Sequence, residues 1–210
     1  GISASNIAKW DGTSWSSLGT GTNDPVNSIA ISGNDVYAGG MFSYAGGNGV
    51  GFIAKWNGTN WSSIGDGMNT YVNCIAVSGN DIYAGGVFSD GILNYIAKWN
   101  GTSWSPMGTG INSAESVNSL AVSGNDLYVA GEFTNASGVT VSNIAKWNGT
   151  NWIALGSGLN GAVSSIAISG ENLYAAGGFT IAGGNPANHI AKWDGANWSS
   201  LGTGTDNFIS

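Results

Sequence analysis

Apolar residues along this chain come in short bursts of strand length. No stretch holds them at the 3.6-residue spacing of a helix, because glycines interrupt every window. The bursts recur as two alternating phrases. IAKWDGTSW starts at Ile7, and near-copies start at Ile53, Ile96, Ile144 and Ile190. VNSIAISGNDVYAGG starts at Val26, with versions from Val72, Val117 and Val163. Successive IAKW phrases lie 46, 43, 48 and 46 residues apart. A period in the forties with strand-like content is the signature of a propeller blade.

Each repeat reads as four short strands. VNSIAIS over 26–32 is the first. GND then turns tightly, since Asn and Gly tolerate positive φ. VYAGGMF over 36–42 is the second. A variable, glycine-rich loop follows, reading SYAGGNGVG, SDGILN, TNASGVTVSN and TIAGGNPANH in the four repeats. FIAKW over 52–56 is the third strand, NGTN turns, and WSSIG over 61–65 is the fourth. Two antiparallel hairpins in sequence build one four-stranded blade.

The predicted fold class is all-β: a β-propeller of four-stranded antiparallel blades, four of them complete, with an extra outer hairpin at the N-terminus. It is one repeat array. The half-blade covers 6–20, the blades about 25–66, 71–109, 116–157 and 162–203, and a tail 204–210. The order of the phrases places the small-residue strand at the axis and the tryptophan strands at the rim. The opposite phase, with IAKW opening the blade, would put tryptophan inside.

All ten tryptophans fall in a W-[DN]-G-x-x-W element: Trp10 and Trp15, Trp56 and Trp61, Trp99 and Trp104, Trp147 and Trp152, Trp193 and Trp198. A four-residue turn sets each pair across a hairpin, where facing aromatics contribute about 0.5–1.5 kcal/mol beyond buried area. Two roles fit. The pairs lock the outer hairpins and pack on the next blade, or open indole faces stack on sugar rings. All five lysines are the K of IAKW: Lys9, Lys55, Lys98, Lys146 and Lys192. Their candidate partners are Asp35, Asp81 and Asp126 of GND and Glu171 of GEN. A partly buried pair would not tolerate losing one member. The alternative is a solvated edge-strand lysine that discourages aggregation.

Composition narrows function by exclusion. The 210 residues carry a net charge of −7 and no arginine. Nucleic-acid backbones and anionic membrane surfaces call for clustered Lys or Arg, so neither is an expected partner. No apolar run approaches the roughly 20 residues of a spanning helix, so no membrane insertion is expected. Ten tryptophans and regular aliphatic positions argue against disorder. Low charge with Asn, Ser and Thr as the polar residues suggests an extracellular or cell-surface, secreted protein. The opening GISASN, with neither Met nor a signal pattern, reads as a processed product or an excised piece.

Catalytic chemistry finds little to use. His189 is the single histidine, and its equivalents are Asn6, Phe52, Tyr95 and Asn143, so it reads as a residue at a strand entrance. Cys74 stands where Ser28, Ser119 and Ser165 stand and reads as a small buried thiol with no base beside it. One cysteine allows no intrachain disulfide. The acids are spread singly, which gives calcium no convergent carboxylates. No metal site, cofactor or catalytic residue is expected, and the chain is expected not to be an enzyme. Asn57, Asn100 and Asn148 head N-x-[ST] triplets that hairpin-turn chemistry explains. The Gly39–Gly40 and Gly85–Gly86 pairs read as sites of a bulge or of close packing.

IAKW-[DN]-G-x-x-W followed by V-x-x-[IL]-A-[VI]-S-G-x-[DN]-[VIL]-Y-x-[AG]-G resembles a repeat of large secreted or cell-surface bacterial proteins. Similar repeats occur in kelch-like and cortical-marker-like propellers. The resemblance spans nearly the whole chain and implies a β-propeller. It carries over no catalytic residue. Pro106, Met107 and GEN depart from the pattern.

Nine hairpins do not divide into two-hairpin blades. Three resolutions stand open: a piece of a longer propeller, strands contributed by another copy, or loose ends around an imperfect ring. The functional expectation is a non-enzymatic extracellular scaffold or adhesion module. It binds other chains and assembles with copies of itself, or within a longer parent chain, through the unpaired half-blade. The alternative is a multivalent carbohydrate-binding lectin using the paired tryptophans to hold glycans.

Overall fold

A computed structural model describes residues 2–209, with residues 112–114 described by backbone alone. Among the described residues the secondary structure is all strand, every pairing is antiparallel, and no helix occurs. The first sheet runs Val26–Ser32, Asp35–Gly40, Ile53–Trp56, Trp61–Ser63, in chain order across the sheet. The second runs Val72–Ser78, Asp81–Ser89, Asn94–Trp99, Trp104–Pro106. The third runs Ile111–Ser123, Asp126–Ala136, Ile144–Trp147, Trp152–Ala154, with Val139–Thr140 added beside its second strand. The fourth runs Val163–Ser169, Asn172–Gly177, Ile190–Trp193, Trp198–Ser200. Ahead of them lies a lone hairpin of Ala8–Trp10 and Trp15–Ser17.

The variable loops hold more structure than their composition suggests. Tyr44–Ala45 pairs with Asn48–Gly49, and Ile181–Ala182 pairs with Asn185–Pro186. Glycine at positive φ turns both, at Gly46–Gly47 and Gly183–Gly184. In the third sheet the first strand starts at Ile111, ahead of the expected 116, because the second strand runs on to Ala136 and pairs back with it.

A bulge recurs in every sheet, and the glycines explain it. Val26 pairs with Gly40 and Ser28 with Gly39, which leaves Asn27 as the extra residue. Asn73, Asn118 and Ser164 are left over in the same way. A Cβ on Gly40 would lie 2.2 Å from the carbonyl oxygen of Pro25, and one on Gly86 would lie 2.2 Å from that of Tyr71. Only glycine lets the second strand approach the bulged backbone this closely. The extra residue, freed from the ladder, reaches the next sheet. Asn27, Asn73 and Asn118 each donate a side-chain N–H to the carbonyl of Val72, Val117 and Val163, at 3.1, 3.2 and 3.0 Å.

The sheets therefore stack in series, with their first strands side by side, and the core lies between them. Ala30 and Tyr37 of the first sheet cover Ile75 and Ile82 of the second. Ala76 and Tyr83 pack with Val117 and Leu127 of the third, and Ala121 and Tyr128 with Ile166 and Leu173 of the fourth. Phe42, Phe88, Phe133 and Phe179, one per repeat, are fully buried. The lone hairpin joins the series through Ile7 and Leu18, which pack with Ala38, Phe42 and Trp61.

Candidate functional site

Each W-[DN]-G-x-x-W element folds by the same local chemistry. Asp11 Oδ1 accepts the backbone N–H groups of Thr13 and Ser14, both at 2.8 Å. Asn57, Asn100, Asn148 and Asp194 do the same in their turns. Glycine follows, at φ of 95–101°. Those backbone donors hold the carboxyl of Asp11 far below the usual range, and they lower those of Asp194 and, in the second repeat's loop, Asp90. The turn sets each tryptophan pair across its hairpin with centroids 5.3–5.5 Å apart and rings tilted by 49–58°.

The second tryptophan of the last four pairs faces backwards, onto the preceding unit. Trp61, Trp104, Trp152 and Trp198 donate their indole N–H to the carbonyls of Leu18, Ile64, Met107 and Leu155, at 2.7, 2.8, 3.0 and 2.8 Å. Trp61, Trp152 and Trp198 are buried and Trp104 is half-buried. Trp56, Trp99, Trp147 and Trp193 are half-buried. The rings of Trp56, Trp99 and Trp193 lie over Gly19, Gly65 and Gly156 of the preceding unit. Trp10 and Trp15 stand 49% and 56% exposed. Among the described residues these are the most open indole faces on which a sugar ring could stack.

The lysines show the same asymmetry. Lys55 lies 3.2 Å from Asp35, Lys98 2.7 Å from Asp81 and Lys146 2.9 Å from Asp126. The hydrogen bond to the aspartate raises the pKa of Lys98 and of Lys146. Lys98 also sits 5.8 Å from the ring centre of Tyr83, whose hydroxyl pKa is raised by burial. Glu171 does not take the aspartate's place. Register pairs Ser169 with Asn172, as it pairs Ser32 with Asp35, so Asn172 holds the aspartate position and Glu171 lies in the turn. Among the described residues Lys192 has no ion pair: Tyr174 opposes it, and the diagonal position that holds aspartate beside the other lysines carries the neutral Asn172. Among the described residues Lys9 has none either, since the strand paired with Ala8–Trp10 is Trp15–Ser17, which carries no acid.

The remaining chemistry-bearing residues are structural in their contacts. His189 is half-buried, and its Nδ1 lies 3.1 Å from the carbonyl oxygen of Gly177. It shares a left-handed backbone, φ 60–66°, with Asn6, Phe52, Tyr95 and Asn143, which turn the chain into each third strand. That shared conformation was not apparent from such varied residue types. Cys74 is buried, and burial pushes its thiol pKa far up. Among the described residues no three His, Cys, Asp or Glu converge as a metal site, and every buried side-chain N or O has a partner.

What remains is a cleft of about 600 Å³ between the lone hairpin and the first sheet. Ala8, Lys9 and Trp10 form one wall, and Ile29, Ile31 and Val36 the other. Ile29 is 52% and Ile31 68% exposed, whereas of the three counterparts of Ile29, Ile75 and Ile166 are each 7% exposed and Leu120 is half-buried. This open edge with an apolar floor is the candidate site.

No known protein family matches the sequence, and no curated protein matches it. The structure is similar to the crystal structure of the computationally designed Ika4 protein, with a TM-score of 0.55 and 16% identity over 83% of this chain and 94% of that one. It is also similar to that of the computationally designed Ika8 protein, with a TM-score of 0.58 and 17% identity over 89% of this chain and 51% of that one. At such identities the likeness concerns the fold.

Proposed function

We propose that this chain is a non-enzymatic, extracellular scaffold or adhesion module of β-propeller type, which binds other chains, copies of itself included, through its incomplete N-terminal sheet. Four sheets of the same strand order, stacked with their first strands together, support the arrangement as blades. Low charge and a polar surface of Asn, Ser and Thr support the location outside the cell.

One observation carries the reading. In each of the four larger sheets the third strand is covered on its inner edge by the second, but among the described residues Ala8–Trp10 has no strand on that edge. An unpaired strand edge beside an apolar surface is a template for another chain. Folded proteins cover such edges unless the edge is used.

Light scattering over a wide concentration range tests this. The expected result is a weight-average mass that climbs above the 21.2 kDa of one chain as concentration rises. A mass fixed at one chain throughout, with no partner chain retained, would overturn the reading.

A further inference from the structure

The fourth repeat holds a small cavity of about 110 Å³ on its outer side. It lies where the short hairpin of Ile181–Ala182 and Asn185–Pro186 folds against Trp198–Ser200. Gly183 makes that approach possible, since a Cβ there would stand 2.8 Å from the Cβ of Trp198. Trp193 and Trp198 form the apolar part of the lining, and Asn185, Asn197 and Ser157 the polar part. Among the described residues the side-chain amides of Asn185 and Asn197 and the hydroxyl of Ser157 bond to no protein group. None of the lining residues is charged.

Sequence differences explain why this repeat carries the cavity. Ala196 lines it, and the counterparts of Ala196 are Thr13, Thr59, Thr102 and Thr150. The first repeat has the same short hairpin, with Asn48, Trp56, Asn60 and Trp61 at the places of Asn185, Trp193, Asn197 and Trp198. There the bulkier Thr59 stands in the place of Ala196, and Asn48 donates its amide N–H to the Trp61 carbonyl at 3.5 Å. In the third repeat Ser137 takes the place of Gly183, and its hydroxyl oxygen accepts the N–H of Thr109, the counterpart of Ser157, at 2.9 Å. Val139 there replaces the asparagine. The openness is a property of the repeat and not of the chain's ends. Asn48, Thr59 and Asn60 are exposed although another sheet follows theirs.

We propose that this cavity binds one ring of a neutral pyranose sugar. The apolar face of a pyranose carries C–H groups of positive polarity, which suit the negative face of an indole. An amide offers an acceptor and two donors, and a sugar hydroxyl both donates and accepts, so the amides of Asn185 and Asn197 match a pair of neighbouring hydroxyls. With no charge in the lining, an acidic or basic ligand would bring a charge without a partner. The volume lies below the roughly 300 Å³ at which drug-sized pockets begin, so it admits a single ring. This surface is separate from the N-terminal sheet, and the inference does not rest on the scaffold reading.

The test follows the indole N–H signals of the full chain by nuclear magnetic resonance. The probes are the methyl glycosides of glucose, galactose, mannose and N-acetylglucosamine, with open-chain sorbitol as control. At least one glycoside should shift the Trp193 signal saturably, with a Kd of about 1–10 mM, and sorbitol should not. Ala196→Thr restores the residue of the other repeats. It should keep the circular dichroism of the parent and weaken binding about tenfold, because the added atoms crowd the ring. Asn185→Ala and Asn197→Ala should each weaken it about fivefold, the loss of one neutral hydrogen bond. Thr59→Ala should open the matching site in the first repeat, so that the Trp56 signal also shifts. Saturable shifts in none of the four titrations, shifts confined to Trp10 and Trp15, or equal binding by Ala196→Thr would overturn the proposal. A silent Trp56 in Thr59→Ala would overturn the role given to Ala196.

Discussion

Trp61 donates its indole N–H to the carbonyl oxygen of Leu18, 43 residues earlier, at 2.7 Å. The bond crosses from the first sheet to the hairpin before it, and it is made again at each later junction. The Leu18 carbonyl also accepts the backbone N–H of Gly21 at 3.1 Å, so Trp61→Phe removes one of its two hydrogen bonds and should cost about 1 kcal/mol of stability, read as a lower denaturant midpoint with little change in slope. Trp15→Phe should cost less than about 0.5 kcal/mol, because Trp15 is exposed. Equal losses for the two would mean that the indole packs generically and the staple contributes nothing.

Alkali should weaken the fold through the lysine–aspartate–tyrosine groups. Lys98 and Lys146 have raised pKa values, each first through the hydrogen bond to its aspartate, and Tyr83 has one raised by burial. Stability from a raised pKa is complete below the unfolded value, about 10.4 for lysine and 10 for tyrosine. It is lost as pH rises through the folded value. The pairs are about one-third exposed, so each contributes no more than about 1 kcal/mol. Denaturant midpoints measured between pH 8 and 11 should hold level and then fall above about pH 10. Lys146→Met should flatten part of that fall, and Lys9→Met should leave it unchanged.

Acid acts on the turns in the opposite sense. Asp194 has its pKa lowered, chiefly by the backbone N–H groups of Asn197 and Ala196. A lowered pKa gives stability that is present above the unfolded value, about 3.9, and is lost as pH falls through the folded one. Asp194→Asn keeps the turn's acceptor, as Asn57 and Asn100 show in theirs. The variant should match the parent at pH 7 and lose less of its stability between about pH 4 and pH 2. An unchanged acid limb would show that the carboxylate's charge adds nothing to the turn.

Much of the strand content was legible because each strand carries a distinct phrase: VNSIAIS falls on Val26–Ser32 and IAKW on Ile53–Trp56. The lysine–aspartate spacing was legible because both residues recur once per repeat. Glu171 misled because GEN keeps an acid while moving it one place. In a strand a one-residue shift changes the face, so the acid leaves the lysine and Asn172 takes its position. The bulge was legible in the Gly39–Gly40 and Gly85–Gly86 pairs, and the structure has both the register shift and the close packing there; that Asn27 is the extra residue and reaches the next sheet was not, since that depends on tertiary distances. The cleft beside Lys9 was only half legible. The hairpin count leaves one hairpin over, but the exposure of Ile29 and Ile31 needs the packed sheets.

Cys74 marks the one junction where the repeat's inner contact is chemically altered. Ser28 Oγ accepts the backbone N–H of Ile75 at 3.0 Å, and Ser119 Oγ accepts that of Ile166 at 3.0 Å. At the intervening junction the residue is Cys74, whose sulfur lies 3.9 Å from the Val117 carbonyl oxygen. Sulfur is a weak acceptor, so the N–H of Leu120, which corresponds to those of Ile75 and Ile166, gains little from it. Cys74→Ser places a hydroxyl there with the geometry used on either side. A gain of about 1 kcal/mol is expected, the net scale of one hydrogen bond, read as a rise in the denaturant midpoint at constant slope. The parent thiol should meanwhile resist a disulfide reagent until the chain unfolds, since it is buried and its pKa is raised. A loss of stability in Cys74→Ser would show that the larger sulfur's packing against Gly85, where an added Cβ would stand 2.8 Å from it, outweighs the bond that serine restores.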